Sequence, residues 1–216
     1  MSQKKCPQIF ISCGELSGDM YGALLVKAIK KKEPNCSFSG LTGPKLQKAG
    51  VHSVGDMTRI NTIGFIEPIL KLKQFYQFFS IAKKILLKQK PDIVIAIDSQ
   101  GFNLPLFKFC KKIGIKTCYF IAPQEWQWGT EKGGKKVCEL CDKILCVFQK
   151  ENHFYKKLGG NTKFIGHPLA THYKNQLSEN KLTKKGKIIS LFPGSRDQEV
   201  YRLSPLFFEV AKKTKP

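Results

Sequence analysis

The sequence predicts an α/β protein with a Rossmann-like, doubly wound parallel sheet that is covered by helices on both faces. Short apolar runs alternate with longer segments of helical periodicity along most of the 216 residues. The runs are rich in β-branched residues and almost wholly apolar, which is typical of parallel strands buried on both faces. Glycines or polar residues follow them, as expected where a strand turns into a helix.

Each predicted strand is a short apolar run that ends at a turn-forming or helix-starting residue. The run at 8–12 leads into a glycine-rich turn, and the run at 93–97 ends at Asp98. The run at 144–148 is followed by a polar helical segment. In chain order, the strands are predicted at 8–12, 37–41, 93–97, 117–121, 144–148, 164–165 and 187–192.

The helices between these strands are predicted from apolar residues spaced three and four apart. The first is clearest at 23–29 and runs to about Lys32, and the second begins at Pro44, because proline suits the first position of a helix. The remaining helices are predicted near 104–113, 132–141, 149–158 and 198–213.

The segment 60–87 has little polar face and allows two interpretations. Its apolar residues favour a pair of core helices packed against the sheet. Its interleaved lysines also suit a helix that lies in a bilayer interface with ammonium groups on the lipid headgroups. Because no run approaches the ~18 apolar residues of a spanning helix, any membrane contact is predicted to be peripheral.

Three regions are predicted along the chain. Residues 1–169 form the Rossmann-like domain, and 170–186 are polar, lysine-rich and without a strong period, as in an interdomain linker. Residues 187–216 predict one strand and one helix. Such a unit cannot bury both its faces alone, so we expect it to open a second domain whose remainder is missing.

The composition indicates a globular protein with anionic partners. Hydrophobic residues make up 42%, but 37 Lys and Arg against 16 Asp and Glu give a net charge of +21. Nucleic acid, acidic lipid and phosphorylated substrates all suit this charge, and so does a merely lysine-rich surface. No recognition-helix or RNA-binding motif appears, so nucleic acid is not expected as a partner.

The eight cysteines predict a reduced, cytoplasmic chain, because no secretory signal precedes them. Cys138, Cys141, Cys146 and His153 offer four zinc ligands in principle. The alternative is that these cysteines are small core residues, since Cys146 lies in a predicted buried strand. We expect the second arrangement, and no metal.

The turn after the first strand is the first candidate site. Glu15, Ser17 and Asp19 lie among its glycines, and ligands of open α/β sheets bind where strands end. The spacing is not that of the dinucleotide fingerprint, so a phosphate cradle rests only on the exposed N–H groups of the helix start. A purely structural turn is the alternative.

A second candidate site follows the strand at 93–97. Asp98 stands at its carboxyl end, where burial would raise its pKa toward that of a useful general base, although it can equally cap the next helix. The polar residues 99–103 are predicted to form a flexible ligand loop. Within that loop, Asn103 can donate and accept hydrogen bonds together.

Three further segments carry polar or aromatic groups near predicted strand ends. Glu125, Trp126 and Trp128 suit a sugar ring, although the tryptophans can instead anchor the loop. His167, before a proline, is either a ligand contact or a structural hydrogen-bonding group. The segment 193–196 combines backbone donors with Ser195 and Arg196, which suits a diphosphate, the alternative being a helix cap with a surface arginine.

In this order, the segments resemble the lipid-A-disaccharide synthase family, the glycosyltransferases of lipid A assembly. The resemblance runs along essentially the whole chain, and it is the joint order of the motifs that makes it specific. It is carried by Gly14-Glu-Leu-Ser-Gly-Asp19, Gly43-Pro44, Ile63-Gly-Phe-Ile-Glu67, Ile97-Asp98, Phe102-Asn103, Ala122-Pro-Gln-Glu-Trp126, Trp128, Gly166-His-Pro-Leu169 and Pro193-Gly-Ser-Arg196.

The resemblance implies a GT-B architecture, in which two Rossmann-like halves face a cleft and the chain supplies the acceptor half. It implies transfer of 2,3-diacylglucosamine from UDP-2,3-diacylglucosamine to 2,3-diacylglucosamine 1-phosphate, without cofactor or metal, at the inner face of the cytoplasmic membrane. Asp98 matches the proposed base and Arg196, with Ser195, the donor diphosphate site. The acceptor side is matched by Glu15, Ser17, Asp19, Asn103, Glu125 and Trp126.

Two departures from the family pattern shape what we expect. The loop reads Asp98-Ser-Gln-Gly-Phe-Asn103, so a second acid common in the family is absent. The later donor-side loops are also absent, so we expect the 216-residue chain alone to make no disaccharide unless a C-terminal domain is supplied in cis or in trans. The alternative is a catalytically silent module that binds the acceptor lipid or the membrane.

Overall fold

A seven-stranded parallel sheet organises the chain, which the computed structural model describes over residues 6–58, 68–179, 188–194 and 197–214. The strand order is β3-β2-β1-β4-β5-β6-β7, and every pairing is parallel. The strands are β1 (Gln8–Cys13), β2 (Ser37–Leu41), β3 (His52–Gly55), β4 (Ile93–Ile97), β5 (Lys116–Phe120), β6 (Lys143–Cys146) and β7 (Thr162–Phe164).

Eight helices accompany the sheet within these ranges. They are α1 (Leu16–Lys32), α2 (Pro44–Lys48), α3 (Pro68–Gln89), α4 (Gln100–Lys112), α5 (Glu131–Leu140), α6 (Gln149–Lys157), α7 (Pro168–Glu179) and α8 (Asp197–Lys213), and a short 3₁₀ turn spans Gln124–Trp126.

Helices pack on both faces of the sheet, which confirms the predicted doubly wound class. Alternate residues of one strand enter two separate apolar clusters, since Val94 and Ala96 join one and Ile95 and Ile97 join the other. The first cluster contains side chains of α3, α4, α5 and α6, and the second contains side chains of α1 and α2. Both faces are therefore closed by apolar packing, as a parallel sheet requires.

Four segments differ from the sequence prediction. Strand β3 was not predicted, because its four residues include one apolar side chain, Val54, and none is fully buried, and it pairs only with β2 at the edge. Residues 100–103 form the first turn of α4 and not a flexible loop. The first part of the predicted linker is helical, as α7. Residues 188–192 form no strand, because no neighbouring strand pairs with them among the described residues.

The sheet has its topological switch point between β1 and β4, where successive connections leave in opposite directions. Ligands of open α/β sheets bind at such a point, beside the carboxyl ends of the strands. Close packing holds α1 against this region, since a Cβ on Gly22 would come within 2.8 Å of Ile97 Cδ1 and 3.0 Å of Leu46 methyl carbons. The fold thus places the ends of β1 and β4 side by side.

Helix α3 is amphipathic in its described part. Ala82 and Leu86 are fully buried, and Phe75, Phe78 and Phe79 pack against the same apolar cluster. Core packing is thus confirmed for one side of α3, which covers most of the segment 60–87 that allowed two interpretations. Residues 60–67 of that segment lie outside the described ranges. Among the described residues, no helix is long and apolar enough to cross a membrane.

Candidate functional site at the switch point

The ends of β1 and β4 meet closely, which brings two of the predicted motifs together. Gly14 follows β1 and is buried, and a Cβ at this position would overlap Ser99 Oγ beyond β4. The absence of a side chain at Gly14 therefore permits this close approach. The glycine-punctuated turn and the Asp98 turn thus flank the switch point, where the binding crevice of an open α/β sheet lies.

Asp98 occupies a strained turn at the end of β4. Its φ of 52° and the φ of 49° at Ser99 place two successive non-glycine residues in the left-handed region. Such a conformation costs about 1–2 kcal/mol per residue, less for aspartate than for most side chains. The carboxylate Oδ1 accepts a hydrogen bond from Ser99 N–H at 2.9 Å. The turn thus fixes where this carboxylate stands.

The half-buried environment of Asp98 favours the neutral acid. Burial raises the pKa of this carboxyl above its ordinary value, although the hydrogen bond from the Ser99 N–H lowers it in part. The same carboxylate lies near Tyr21 of α1, whose pKa is raised by burial and further by the charge of Asp98. A carboxyl whose pKa is raised in a crevice is suited to general base catalysis.

Asn103 lies inside the protein, on the first turns of α4. Its side chain is fully buried. Its Nδ2 donates to the Asp98 carbonyl at 2.7 Å, and its Oδ1 accepts from Ser12 Oγ at 2.6 Å. The amide therefore donates and accepts together, as expected, but its described partners belong to the protein.

Asp19 is also buried, with 1% of its surface exposed. Its Oδ2 accepts from Lys45 N–H at 2.7 Å and its Oδ1 from Leu46 N–H at 3.0 Å, so it supplies the acceptor that the start of α2 needs. A Cβ on Gly43 would come within 2.6 Å of the Asp19 Cγ. In this structure, Asp19 caps a helix.

Glu15 and Ser17 lie at the start of α1, nearer to solvent. Glu15 is the N-cap residue of this helix and is half-buried, and Ser17 is exposed. Of the acidic and hydroxyl groups predicted in this turn, these two are accessible to a bound molecule. The first turn of a helix also favours negative groups on a ligand.

Glu125 connects the loop after β5 to its neighbours. Its Oε1 accepts from Gln100 Nε2 at 2.5 Å, and its Oε2 accepts from Thr130 N–H at 3.0 Å. Gly129 and Gly133 approach the carboxylate so closely that a Cβ on either would overlap it. The carboxylate therefore orders the loop that carries Trp126.

Four aromatic rings form a row along the same edge of the sheet. Trp126 and Phe148 have ring centroids 5.8 Å apart, Phe148 and His167 are 5.7 Å apart, and His167 meets Tyr21 edge-on at 5.6 Å. Phe148 is 44% exposed, and the other three rings are half-buried. We call these four residues the aromatic row. A partly exposed row of this kind offers stacking surfaces for a sugar ring.

His167 has a structural contact within the row. Its Nδ1 accepts a hydrogen bond from Leu169 N–H at 3.3 Å, at the start of α7. His167 therefore makes a structural hydrogen bond, which was one of its two interpretations. An accepting Nδ1 carries no proton, so the neutral ring would carry its proton on Nε2.

Of the remaining predicted residues, Trp128 is 79% exposed, and Ser195 and Arg196 lie outside the described residues. Among the cysteines considered for zinc, Cys146 is buried in β6 and Cys138 Sγ lies 3.6 Å from the Tyr155 carbonyl oxygen. In the described chain, no group of three or more His, Cys, Asp or Glu side chains is placed to hold a metal ion.

Sequence reasoning missed four residues that build the site: Ser12, Tyr119, Phe148 and Glu151. The first two lie within buried strands, where a polar atom signals a hydrogen-bonded network. Glu151 is a carboxylate in the first turn of α6 with 1% exposure, and Phe148 is the residue before that helix. For Ser12 and Tyr119, a polar atom within an apolar strand was the available signal.

Solved structures of other proteins share this fold. A UDP-GlcNAc 2-epimerase from Neisseria meningitidis superposes with a TM-score of 0.54 at 10% identity, over 82% of this chain and 50% of that protein. A UDP-N-acetylglucosamine 2-epimerase from Listeria monocytogenes, described as putative, gives 0.53 at 10% identity, over 73% and 44%. At these identities, the likeness shows the fold alone.

Sequence relatives extend the comparison to the whole chain. Lipid-A-disaccharide synthase of Geobacter metallireducens is 36% identical over 211 residues, which is 95% of this chain and 55% of that protein. The enzyme of that name from Neisseria meningitidis serogroup B is 34% identical over 219 residues, or 98% and 56%. The chain thus spans about half the length of these relatives. The profile of the lipid-A-disaccharide synthetase family matches residues 9–216, and the chain belongs to that family.

Proposed function

We propose that this chain forms the acceptor-binding part of a glycosyltransferase that makes the lipid A disaccharide. The reaction moves 2,3-diacylglucosamine from UDP-2,3-diacylglucosamine to 2,3-diacylglucosamine 1-phosphate. The observation that carries the proposal is the Asp98 carboxylate, held at the switch point of the sheet with a raised pKa. Membership of the family supplies the substrates.

In the proposed reaction, Asp98 accepts the proton of the acceptor 6-hydroxyl. The hydroxyl oxygen forms a bond to C1 of the donor sugar, the bond from C1 to the diphosphate oxygen breaks, and its electron pair leaves with UDP. No cofactor or metal takes part in this scheme. Most of the rate comes from positioning the hydroxyl and from neutralising the departing diphosphate. We assign the neutralisation of the diphosphate to Ser195 and Arg196.

The predicted acceptor residues divide into two groups by burial. Glu15, Ser17, Glu125 and Trp126 are exposed or half-buried around the crevice, and we propose that they contact the acceptor. Asp19 and Asn103 are buried and hydrogen-bonded within the protein, so we assign them a positioning role. The turn after β1 is then an acceptor wall and not a nucleotide cradle.

The aromatic row provides a testable contact for the acceptor sugar. Because the chain has two tryptophans, Trp128→Phe leaves Trp126 as the sole indole. We expect mixed micelles containing 2,3-diacylglucosamine 1-phosphate to change the Trp126 emission, relative to micelles of detergent alone. The matched Trp126→Phe variant, which retains the exposed Trp128, should respond little. Equal responses from the two variants would contradict this placement.

We also propose peripheral contact with the inner face of the cytoplasmic membrane. Helix α3 exposes Leu72, Tyr76 and Leu87 by 54%, 63% and 52%, and it carries several lysines. Apolar side chains beside ammonium groups suit an anionic bilayer surface. The chain should sediment with vesicles that contain anionic lipid, and less so after Tyr76→Ser. Binding that is indifferent to lipid charge would count against this proposal.

The function is tested by reconstituting transfer. The chain is mixed with, or fused to, the part of the Geobacter metallireducens synthase that lies outside its match to this chain. We expect radiolabelled disaccharide from the combination and none from either part alone. A fused protein that folds and binds the acceptor, yet makes no disaccharide, would overturn the assignment in favour of a silent acceptor-binding module.

A further inference from the structure

The backbone carbonyl of Asp98 receives two hydrogen bonds from buried side chains. Tyr119 Oη donates to this oxygen at 2.8 Å, and Asn103 Nδ2 donates to it at 2.7 Å. Tyr119 lies on β5 and Asn103 on α4, and both are fully buried. Side chains of two different elements thus converge on one carbonyl oxygen.

A third residue fixes the orientation of the amide. Ser12 Oγ of β1 donates to Asn103 Oδ1 at 2.6 Å, and Ser12 is fully buried. With its oxygen taken by the hydroxyl, the amide of Asn103 directs its nitrogen to the Asp98 carbonyl. Side chains of β1, α4 and β5 therefore form one connected network under the turn.

The backbone is strained in the turn at Asp98 and also in the neighbouring loop after β5. Asp98 and Ser99 have left-handed backbones, and Ile121 of the adjoining loop, a β-branched residue, has a φ of 59°. The Asp98 N–H and the Ile121 carbonyl oxygen are joined at 3.3 Å. Conformations of this kind persist only where the surroundings determine them.

We propose that Tyr119, Asn103 and Ser12 are positioning residues that hold Asp98 in its left-handed turn and thereby aim its carboxylate into the crevice. Tyr119 and Asn103 contact the backbone carbonyl of Asp98, and Ser12 acts through Asn103, so the carboxylate keeps its own bond from Ser99 N–H. The catalytic meaning of this role rests on the proposed function. The effect of these residues on Asp98 itself can be measured without substrate.

The test compares two buried tyrosines on neighbouring elements. Tyr119→Phe removes the hydroxyl that holds the Asp98 carbonyl. Tyr155→Phe removes an equally buried hydroxyl, which donates to the Pro123 carbonyl at 2.5 Å and does not touch Asp98. Both changes remove only a buried hydroxyl and the hydrogen bonding it makes, so the two variants should lose similar amounts of global stability.

The readout is the titration midpoint of the Asp98 carboxyl carbon, followed by NMR in the 216-residue chain labelled with [4-¹³C]aspartate. The Asp98→Asn variant, which lacks the signal, identifies it. The titratable neighbours in the described structure are Tyr21 and Tyr119, and both are neutral across this range. We expect Tyr119→Phe to lower the midpoint by about 0.5–1 unit, as the turn relaxes and the carboxylate gains water.

Tyr155→Phe should leave the midpoint unchanged. If Tyr119→Phe fails to fold, Ser12→Ala replaces it, with a smaller shift in the same direction. An unchanged midpoint in a folded Tyr119→Phe or Ser12→Ala chain, or an equal shift in Tyr155→Phe, would overturn the positioning role. Because no turnover is measured, this outcome is independent of whether the reconstituted enzyme makes disaccharide.

Discussion

Replacing Asp98 with asparagine is expected to remove most of the transfer activity of the reconstituted enzyme and to stabilise the fold. The amide cannot accept the proton of the attacking hydroxyl, and the loss of a general base lowers rates by about 10²–10⁴-fold. Asparagine keeps the size of the side chain and tolerates the left-handed backbone that Asp98 adopts. The turn should therefore survive the change.

The gain in stability follows from the direction of the pKa shift. Burial raises the pKa of Asp98, so the folded state binds a proton more tightly than the unfolded chain. The free energy of unfolding then falls as the pH rises from the unfolded pKa through the folded one, and the loss is complete above both. Asparagine has no charge to desolvate, so the thermal midpoint should rise at pH 7 and change little at pH 3.

Asp142→Asn is the matched control. Asp142 is exposed and accepts from Thr117 N–H at 2.7 Å, near the opposite end of β5. We expect this variant to retain transfer activity and to gain no stability at pH 7. Near-normal transfer by Asp98→Asn would remove the residue as the base, and a lower thermal midpoint at pH 7 would contradict the direction assigned to its pKa.

The sheet was predictable wherever a strand is buried on both faces. Residues 37–41 and 93–97 were predicted with the bounds that the structure shows, and the unbroken apolar run at 93–97 leaves no other assignment. Strand β3 was not, since this four-residue edge strand contains a single apolar side chain, Val54, and so has neither an apolar run nor a clear alternation. The class was therefore evident from the central strands.

The candidate site was predictable in its location but not in its internal contacts. Strand ends indicated Asp98 and the turn at Glu15, because topology alone decides which edge carries ligands. Burial of Asp19 and Asn103 depends on α2 and on β1, which approach them from 26 or more residues away in the sequence. Local sequence carries no information on such distant partners. From the sequence alone, a polar residue that caps a buried helix cannot be told from one that contacts a ligand.

The two loops that carry Trp126 and Phe148 share one buried carboxylate, that of Glu151. Its Oε2 accepts from Val147 N–H at 2.7 Å and from Phe148 N–H at 3.2 Å, and the carboxylate also interacts with the backbone N–H of Ala122. Burial raises the pKa of this carboxyl even though these three donors lower it. One side chain therefore joins the connections after β5 and β6.

Glu151→Ala is expected to lower the free energy of unfolding by about 3–5 kcal/mol, because it leaves buried N–H groups without an acceptor and opens a cavity. Urea unfolding measures the loss, and Glu131→Ala is the control. Glu131 is in a surface ion pair with Lys157 at 3.4 Å, with the two side chains 62% and 76% exposed, so its removal should cost about 0–1 kcal/mol.

The comparison separates two accounts of the buried carboxylate. If its hydrogen bonds outweigh the cost of desolvating it, Glu151→Ala unfolds at a much lower urea concentration than Glu131→Ala. If desolvation cancels the hydrogen bonds, the two variants unfold at similar concentrations. In the first case, the Trp126 emission of a Trp128→Phe chain should also shift to the red below the unfolding transition, because the loops that form the aromatic row separate. A similar midpoint and an unchanged emission would show that apolar packing alone holds the row.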